Sequence, residues 1–306
     1  MRTKKRSKIR GKYAGIFQKF FRNLPQLILA NLMFAIPMII SFVIVWLIQR
    51  FLTTAVIIEF LPILLLMPFY CGLCKVTKDI AIGKEVKGIS AFFKGVKANL
   101  KYSILHGVIF YIVALMDYFA DIFYYGASQY NAAMYIVFGL CVAVTVFTIF
   151  CFFFVPLITV TVDLKFKHIY KNAALMAIGE LPKCLLASLS VVCCIAIVTA
   201  LFSLMGSYLG ALLFVLFLLV FILPATISYF INAILYPSIE ELLISKDNLK
   251  DKPTEGMSRE ELLKIQFEEN PIDPAILEGD ENELVFYGGK MVKRSTLIEM
   301  YKSIDK

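Results

Sequence analysis

The sequence is poor in the side chains that most enzymes use for catalysis. It holds two histidines, His106 and His168, one tryptophan and only 18% charged residues among 306. Phosphate-binding loops, dinucleotide fingerprints and HExxH zinc motifs do not occur, and two histidines at the ends of apolar segments offer no plausible Ser/His/Asp set. This scarcity argues against an enzyme, and we expect no catalytic residue, no cofactor and no metal ion.

Apolar residues, by contrast, are abundant. Hydrophobic side chains make up 59% of the chain and the mean hydropathy is +0.77, whereas soluble domains are roughly 45–50% apolar. The apolar residues form segments of about 20 or more, the length that a helix needs to cross about 30 Å of hydrocarbon, and the strands of a barrel would alternate and be shorter. The sequence therefore predicts an all-α integral membrane protein.

Six membrane-spanning helices are predicted, which makes a six-helix bundle. The first apolar segment is long and no small-x-small cleavage site follows it, so we expect it to remain as a span. Pro37, Pro156 and Pro224 are expected to kink the spans that contain them. The predicted spans are Leu27–Ile48, Val56–Lys75, Ser103–Tyr124, Met134–Val160, Pro182–Met205 and Tyr208–Tyr236.

Basic residues alternate between rich and poor connections along the chain. Residues 1–26 hold nine basic residues and no acidic one, Lys75–Lys101 holds seven and Lys165–Lys183 holds four, whereas the other connections hold only Arg50. Because basic connections stay on the cytoplasmic side, we expect a protein of the cytoplasmic membrane with both termini in the cytoplasm. Orientation accounts for these charges, so they do not indicate nucleic-acid binding.

The seven cysteines all lie in or at the ends of apolar segments, where a free cysteine behaves as a small hydrophobic residue. The stretch CGLC, Cys71 to Cys74, has the spacing of a redox or zinc pair. Such a pair becomes a strong signal only with a second pair or a thioredoxin-like context. We therefore expect free thiols and neither a disulfide framework nor a zinc site.

The most unusual polar residues are the two aspartates in YIVALMDYFADIFYY, Asp117 and Asp121. They share one helical stripe with His106, and at 1.5 Å per residue both lie in the outer part of the predicted third span. One interpretation is a polar route for a proton or cation. The other, which we favour, is that both carboxylates reach the outer headgroups beside an aromatic belt.

A weak internal repeat joins three junctions at the cytoplasmic side. Each junction places a basic residue shortly before an asparagine, at Asn23, Asn99 and Asn172. The returning spans carry similar prolines, Pro68, Pro156 and Pro237. Three parallel two-helix hairpins would produce this pattern, and so would chance similarity between apolar segments.

The connections SAFFKGVKANLKY and DLKFKHIYKNAALMAIGELPK mix lysines with apolar residues at helical spacing. They are typical of amphipathic helices in the inner interface, where lysines meet anionic lipids, although a docking surface for a cytoplasmic partner would look the same. The remaining segment, 239–306, is expected to be a cytosolic tail. It is acidic over Glu240–Glu283, with fourteen acidic and five basic residues, and then alternates around Gly288-Gly289 as a hairpin would, over 283–294.

Three stretches, FFRNLPQLILANLMFAIPM, IGKEVKGISAFFKGVKANLKYSIL and FFFVPLITVTVDLKFKHIYKNAALMAIGELPKCLLASL, resemble the signature regions of the YesL-like family of bacterial membrane proteins, a domain of unknown function. The likeness extends over about residues 15–243. The first extramembrane connection is longer than in that family, and the acidic tail lies outside the shared region. The matching positions are Asn31, Pro37, Gly83, Phe92, Phe93, Lys94, Asn99, Pro156, Asp163, Lys171, Asn172, Leu181 and Pro182.

The resemblance implies a role beside carbohydrate transport, because members of that family often neighbour carbohydrate-uptake systems. Such an association is not a mechanism. We therefore expect an accessory or regulatory partner of a transport system, in contact with a membrane transporter subunit and with anionic lipids. The alternative is a transporter or channel that uses Asp117, Asp121 and His106 as its polar route.

Overall fold

The computed structural model describes residues 15–52, 54–244, 279–280, 283–287, 290–295, 298 and 301. The chain divides between Leu243 and Ile244 into two compact units, which we treat separately. Residues 15–22 are helical, and a π-helical turn, Glu240–Ile244, ends the helical series at the boundary of the first unit. The helices between them are α1 (Leu24–Phe51), α2 (Val56–Glu59), α3 (Leu61–Ile82), α4 (Gly88–Ser128), α5 (Met134–Thr159), α6 (Phe166–Gly179), α7 (Leu181–Leu204), α8 (Tyr208–Phe221) and α9 (Leu223–Ile239).

Six helical segments of the described chain are long and apolar enough to cross a membrane, so the predicted all-α membrane bundle with six spans is confirmed. Helix α8 has 14 residues and is too short to cross by itself. The six segments are Leu24–Phe51, Val56–Ile82, Gly88–Ser128, Met134–Thr159, Leu181–Leu204 and Leu223–Ile244.

The third span differs from its prediction, because it includes the connection before it. The sequence predicts a separate amphipathic helix followed by a span over Ser103–Tyr124, whereas α4 is one helix of 41 residues, about 61 Å long. No proline interrupts it. Gly95 and Gly107 lie within the helix and sit where α3 comes close.

The last predicted span, Tyr208–Tyr236, is also wrong as a single helix. The chain breaks at Ile222, where φ is −146° and ψ is −32°, so α8 and α9 are separate. Pro224 has no N–H to donate to the carbonyl of Val220, and this missing bond turns the predicted kink into a break. The second span is interrupted at Phe60, just before Pro62, and continues to Ile82.

The bundle has two ends that differ in packing. We call the end with residues 15–22, the α3–α4 connection and α6 the lysine-rich end, and the end with the α1–α2, α4–α5 and α7–α8 connections the opposite end. Near the lysine-rich end α3 and α4 approach closely, since a Cβ at Gly72 would lie 2.6 Å from Val96 Cγ2 and 2.9 Å from the carbonyl oxygen of Phe92. Small residues permit such close contact between membrane helices.

The second unit contains a two-stranded antiparallel sheet of β1 (Leu284–Tyr287) and β2 (Lys290–Lys293). The side chain of Arg294 pairs with Glu283 at 2.7 Å and donates to the carbonyl of Asp280 at 3.0 Å. Gly288-Gly289, the predicted turn of the hairpin, lies outside the described residues.

Candidate functional site

His106 is completely buried in α4. Its Nε2 lies 3.0 Å from Thr159 Oγ1 of α5, and its Nδ1 lies 3.0 Å from the Tyr170 hydroxyl of α6. The Thr159 hydroxyl donates its proton to the carbonyl of Val155 at 2.7 Å, so it accepts from Nε2–H, and Nδ1 accepts from Tyr170. Burial raises the pKa of Tyr170, which keeps this phenol protonated. His106 thus uses both ring nitrogens and ties three helices together.

The two aspartates of α4 face α5 nearer the opposite end. Asp121 Oδ2 accepts a hydrogen bond from Thr145 Oγ1 at 3.0 Å, while its Oδ1 is buried and has no hydrogen-bond partner among the described residues. The carboxylate of Asp117 lies against Thr148 and borders, with Tyr124, a cleft of about 260 Å³. The antiparallel packing of α4 and α5 thus places a threonine of α5 beside each aspartate.

An aromatic layer lies between His106 and the aspartates. Phe110, one turn after His106, is 5% exposed and contacts Phe152 edge-on with ring centroids 5.0 Å apart. Phe152 in turn stacks on Tyr70 of α3 at 5.5 Å. The structure therefore brings Asp117 and Asp121 to α5, but it does not join them to His106 as the predicted polar route requires.

Asn31 of α1 occupies the break between α8 and α9. Its Nδ2 donates to the carbonyls of Leu219 and Val220 at 2.9 and 2.7 Å, and its Oδ1 accepts from the N–H of Ala225 at 2.7 Å. In an unbroken helix the Val220 carbonyl would accept from residue 224, which is a proline. One side chain therefore replaces the hydrogen bonds that the break removes, and hydropathy along the sequence gives no signal for it.

A second buried network joins α3 to α9. The Thr77 hydroxyl donates to the carbonyl of Leu73 at 2.9 Å and lies 2.8 Å from Ser228 Oγ. Asn232 Nδ2 donates to Thr77 Oγ1 at 2.7 Å, and Cys74 Sγ lies 3.5 Å from Asn232 Oδ1. Cys74 is thus a packed thiol in a polar helix contact. No group of three His, Cys, Asp or Glu side chains within the described ranges is arranged to hold a metal ion.

A cluster of charges closes the lysine-rich end. Lys78 is only 5% exposed; its Nζ donates to the carbonyl of Val160 at 3.1 Å and lies 3.3 Å from Asp79 Oδ1. Lys75 binds the other Asp79 oxygen at 3.0 Å. The Lys78 ammonium sits at the C-terminal end of α5, where the helix dipole favours a cation. The Lys75–Asp79 spacing of four residues is readable from sequence, whereas the contact with Val160 is not.

The other positions that carry the family resemblance are spread over the fold and form no common site. Asn99 Nδ2 donates to its own helix, at the carbonyl of Gly95, 3.0 Å away. The remaining positions are Pro37 inside α1, Gly83 at the C-terminal end of α3, Phe92 buried and Phe93 and Lys94 exposed on α4, Pro156 buried in α5, Asp163 exposed between α5 and α6, Lys171 exposed and Asn172 half-buried on α6, and Leu181 and Pro182 in the first turn of α7.

The fold defines a multi-pass helical membrane protein, and its comparison with known proteins gives one match. A family model described as a protein of unknown function, DUF624, matches residues 46–120. This stretch runs from the end of α1 into α4 and includes His106 and Asp117. No curated protein and no solved structure matches the chain.

Proposed function

We propose that this chain is an accessory or regulatory partner of a transport system in the cytoplasmic membrane, with its lysine-rich end in the cytoplasm. The resemblance to the YesL-like family suggests carbohydrate as the transported class. The partner would be a membrane subunit of the transporter. No residue of the chain has a catalytic role in this proposal.

The observation that carries the proposal is the contrast between a closed interior and an uncovered span. The buried polar side chains Asn31, Thr77 and His106 bond within the bundle. Helix α7, in contrast, buries only Cys184 and Ala187. An uncovered apolar helix in a bilayer can pack against the helix of another protein.

Crosslinking in the native membrane, followed by gentle solubilisation and mass spectrometry, tests the proposal. We expect a stoichiometric transporter component to copurify with the wild-type chain. A form that lacks residues 247–306 shows whether the tail contributes to the contact. A clean complex without a partner would contradict the accessory role.

Two matched variants sharpen this test. Ala196→Phe with Ala200→Phe places two phenylalanines on the exposed side of α7, and Val142→Phe with Val146→Phe places two phenylalanines at the same spacing on exposed positions of α5. We expect the α7 variant to lose the partner and the α5 variant to retain it. Equal retention by both variants would show that α7 is not the contact.

A second candidate function is transport by the chain itself, and one observation favours it. The buried Oδ1 of Asp121 has no hydrogen-bond partner among the described residues, and the cleft beside it is bordered by Asp117. Replacement of Asp117 with Asn would abolish a proton-coupled or cation flux at normal expression. Asp163→Asn is the control, because Asp163 is an exposed carboxylate outside the spans. Unchanged flux or no flux in the wild type would leave the aspartates as helix contacts.

A further inference from the structure

Two groups of lysines at the lysine-rich end differ in the contacts that they make. In the first group each ammonium is used inside the fold: Lys19 donates to the carbonyl of Ala81 at 2.8 Å, and Lys183 donates to Ser238 Oγ at 2.8 Å. Lys75 and Lys78 belong to this group through Asp79. These four lysines stabilise helix ends and contacts between helices. Setting the orientation of the chain in the membrane is therefore not their only role.

The second group lies on the exposed faces of α4 and α6 and pairs with no carboxylate of the described residues. Lys94, Lys97 and Lys101 of α4 are exposed and lie three and four residues apart, which places them on one stripe. On α6, Lys167 and Lys171 are exposed with a spacing of four. This group therefore presents its charge outward.

Exposed apolar side chains accompany these lysines on both helices. On α4 the neighbouring positions Ile89, Phe93 and Leu100 are 47%, 45% and 45% exposed. On α6 the lysine stripe continues into Leu175 and Ile178, which are 58% and 67% exposed. A helix whose exposed face joins lysines to large apolar side chains is suited to the boundary between headgroups and acyl chains.

Side-chain contacts in the core join the two helices. The ring of Tyr102 on α4 contacts Phe166 of α6 with centroids 5.8 Å apart, and the buried His106 accepts from the Tyr170 hydroxyl at 3.0 Å. Lys101 and Lys167 flank this contact in sequence. The helices that carry these lysines are thus held relative to one another before any ligand binds.

We propose that the exposed face of α4 and α6, with Lys94, Lys97, Lys101, Lys167 and Lys171, binds the headgroups of anionic phospholipids in the leaflet that surrounds the lysine-rich end. The headgroup phosphates contact the ammonium groups, and the acyl chains lie against the exposed apolar residues. Charge complementarity and the adjoining apolar stripe select a lipid over an acidic protein. The surface is independent of the accessory role, since it acts in the purified protein alone.

Electron paramagnetic resonance tests this surface with spin-labelled lipids. Full-length protein in phosphatidylcholine vesicles receives a trace of labelled phosphatidylglycerol or labelled phosphatidylcholine, and the spectrum gives the fraction of each in the immobilised lipid shell. We expect a preference of about fivefold for phosphatidylglycerol, the effect of roughly one well-placed lysine near an anionic surface. Raised salt should reduce this preference.

Three variants give the test its controls. Lys167→Gln with Lys171→Gln should bring the preference towards one, and the same two positions changed to Arg should restore it. Lys84→Gln with Lys87→Gln removes two exposed charges from the α3–α4 connection, which are not on the lysine stripes of α4 and α6, and should leave the preference intact. Unfolding temperature checks that each variant is folded.

Three results would overturn the proposal. One is a wild-type protein with no preference for phosphatidylglycerol. Another is a loss of preference in the Lys84→Gln, Lys87→Gln control equal to that in the α6 variant, because the preference would then depend on net charge alone. The third is an acidic protein that copurifies with the wild type and is lost from the Lys167→Gln, Lys171→Gln variant, while the wild type shows no lipid preference. That result would make the surface a contact for a protein.

Discussion

The lysine-rich half and the opposite half of the bundle share the same long helices but are packed differently. In α5 every buried residue lies between Phe150 and Thr159, and in α4 all buried residues except Ser128 lie between Gly88 and Phe110. Towards the opposite end these helices pair with each other and expose most of their surface. Specific packing, and most of the buried hydrogen bonds, are therefore concentrated in the lysine-rich half.

The difference shows that specific packing holds the lysine-rich half together, whereas the opposite half exposes its helices to their surroundings. In the lysine-rich half, each helix is fixed by polar contacts between segments far apart in sequence. In the opposite half such contacts are fewer: Asp121 pairs with Thr145 of the next helix, and Tyr111 donates to the carbonyl of Ile57 at 3.1 Å. Substitutions should thus be costly in the first half and tolerated in the second.

Replacement of Asn31 with Leu should have the largest effect. It leaves the carbonyls of Leu219 and Val220 and the N–H of Ala225 without their partner, and a buried unsatisfied group costs about 1–3 kcal/mol. We expect a loss of about 3 kcal/mol or more in the free energy of unfolding. The measurement is thermal unfolding in mild detergent, followed by the reactivity of buried thiols such as Cys71.

Asn99→Leu is the matched control for this substitution. Asn99 is half-buried, and among the described residues its side chain bonds to its own helix alone, at Gly95. Its loss should cost less than about 1 kcal/mol. Equal unfolding temperatures for the two variants would mean that Asn31 does not stabilise the break between α8 and α9.

Replacement of Gly107 with Ala should have the next largest effect. A Cβ at this position would lie 2.8 Å from the backbone oxygen of Leu64, which cannot move as a side-chain tip can. Overpacking of this kind costs about 1–3 kcal/mol. Gly126→Ala in the same helix meets no atom within 4 Å and should be neutral or stabilising by up to about 1 kcal/mol. Similar shifts of the unfolding temperature in both variants would contradict the difference in packing between the lysine-rich half and the opposite half.

Hydropathy and charge were sufficient to predict six spans, because both are properties of short continuous segments. They did not predict the fusion of the α4 connection with its span, since an amphipathic turn and an apolar turn continue one another when no proline separates them. Pro224 did indicate irregular geometry in the last span. The repair of that break by Asn31 depends on which helices are neighbours, and that order is absent from a hydropathy pattern.

The candidate site shows the same limit. The stripe of His106, Asp117 and Asp121 is correct as helical spacing, but the partners of His106 are 53 and 64 residues away, in Thr159 and Tyr170. The approach of Asp121 to Thr145 could have been found only to within about one helical turn, because a short connection makes α4 and α5 antiparallel neighbours but does not fix their register. The aromatic layer at Phe110 could not, since it needs α3, α4 and α5 together.

Tyr170→Phe should have a smaller effect than either substitution above. It removes one hydrogen bond, from the phenol to His106 Nδ1, and retains the ring that packs against Phe166. The expected loss is about 1 kcal/mol, seen as a lower unfolding temperature and faster proteolysis within α6. Tyr102→Phe provides a control on the neighbouring aromatic ring of α4. An unchanged melt for Tyr170→Phe would contradict the assigned anchoring of α6.

Asp121→Asn should have the smallest effect on stability. An amide oxygen can still accept from Thr145 at this position, and the substitution removes a carboxylate whose second oxygen lacks a hydrogen-bond partner among the described residues. We expect a change within about 0.5 kcal/mol, because one buried group without a partner takes the place of another, measured by the same thiol-reactivity melt. A large loss of stability would mean that the opposite half depends on this charge, which the sparse packing around α5 gives no reason to expect.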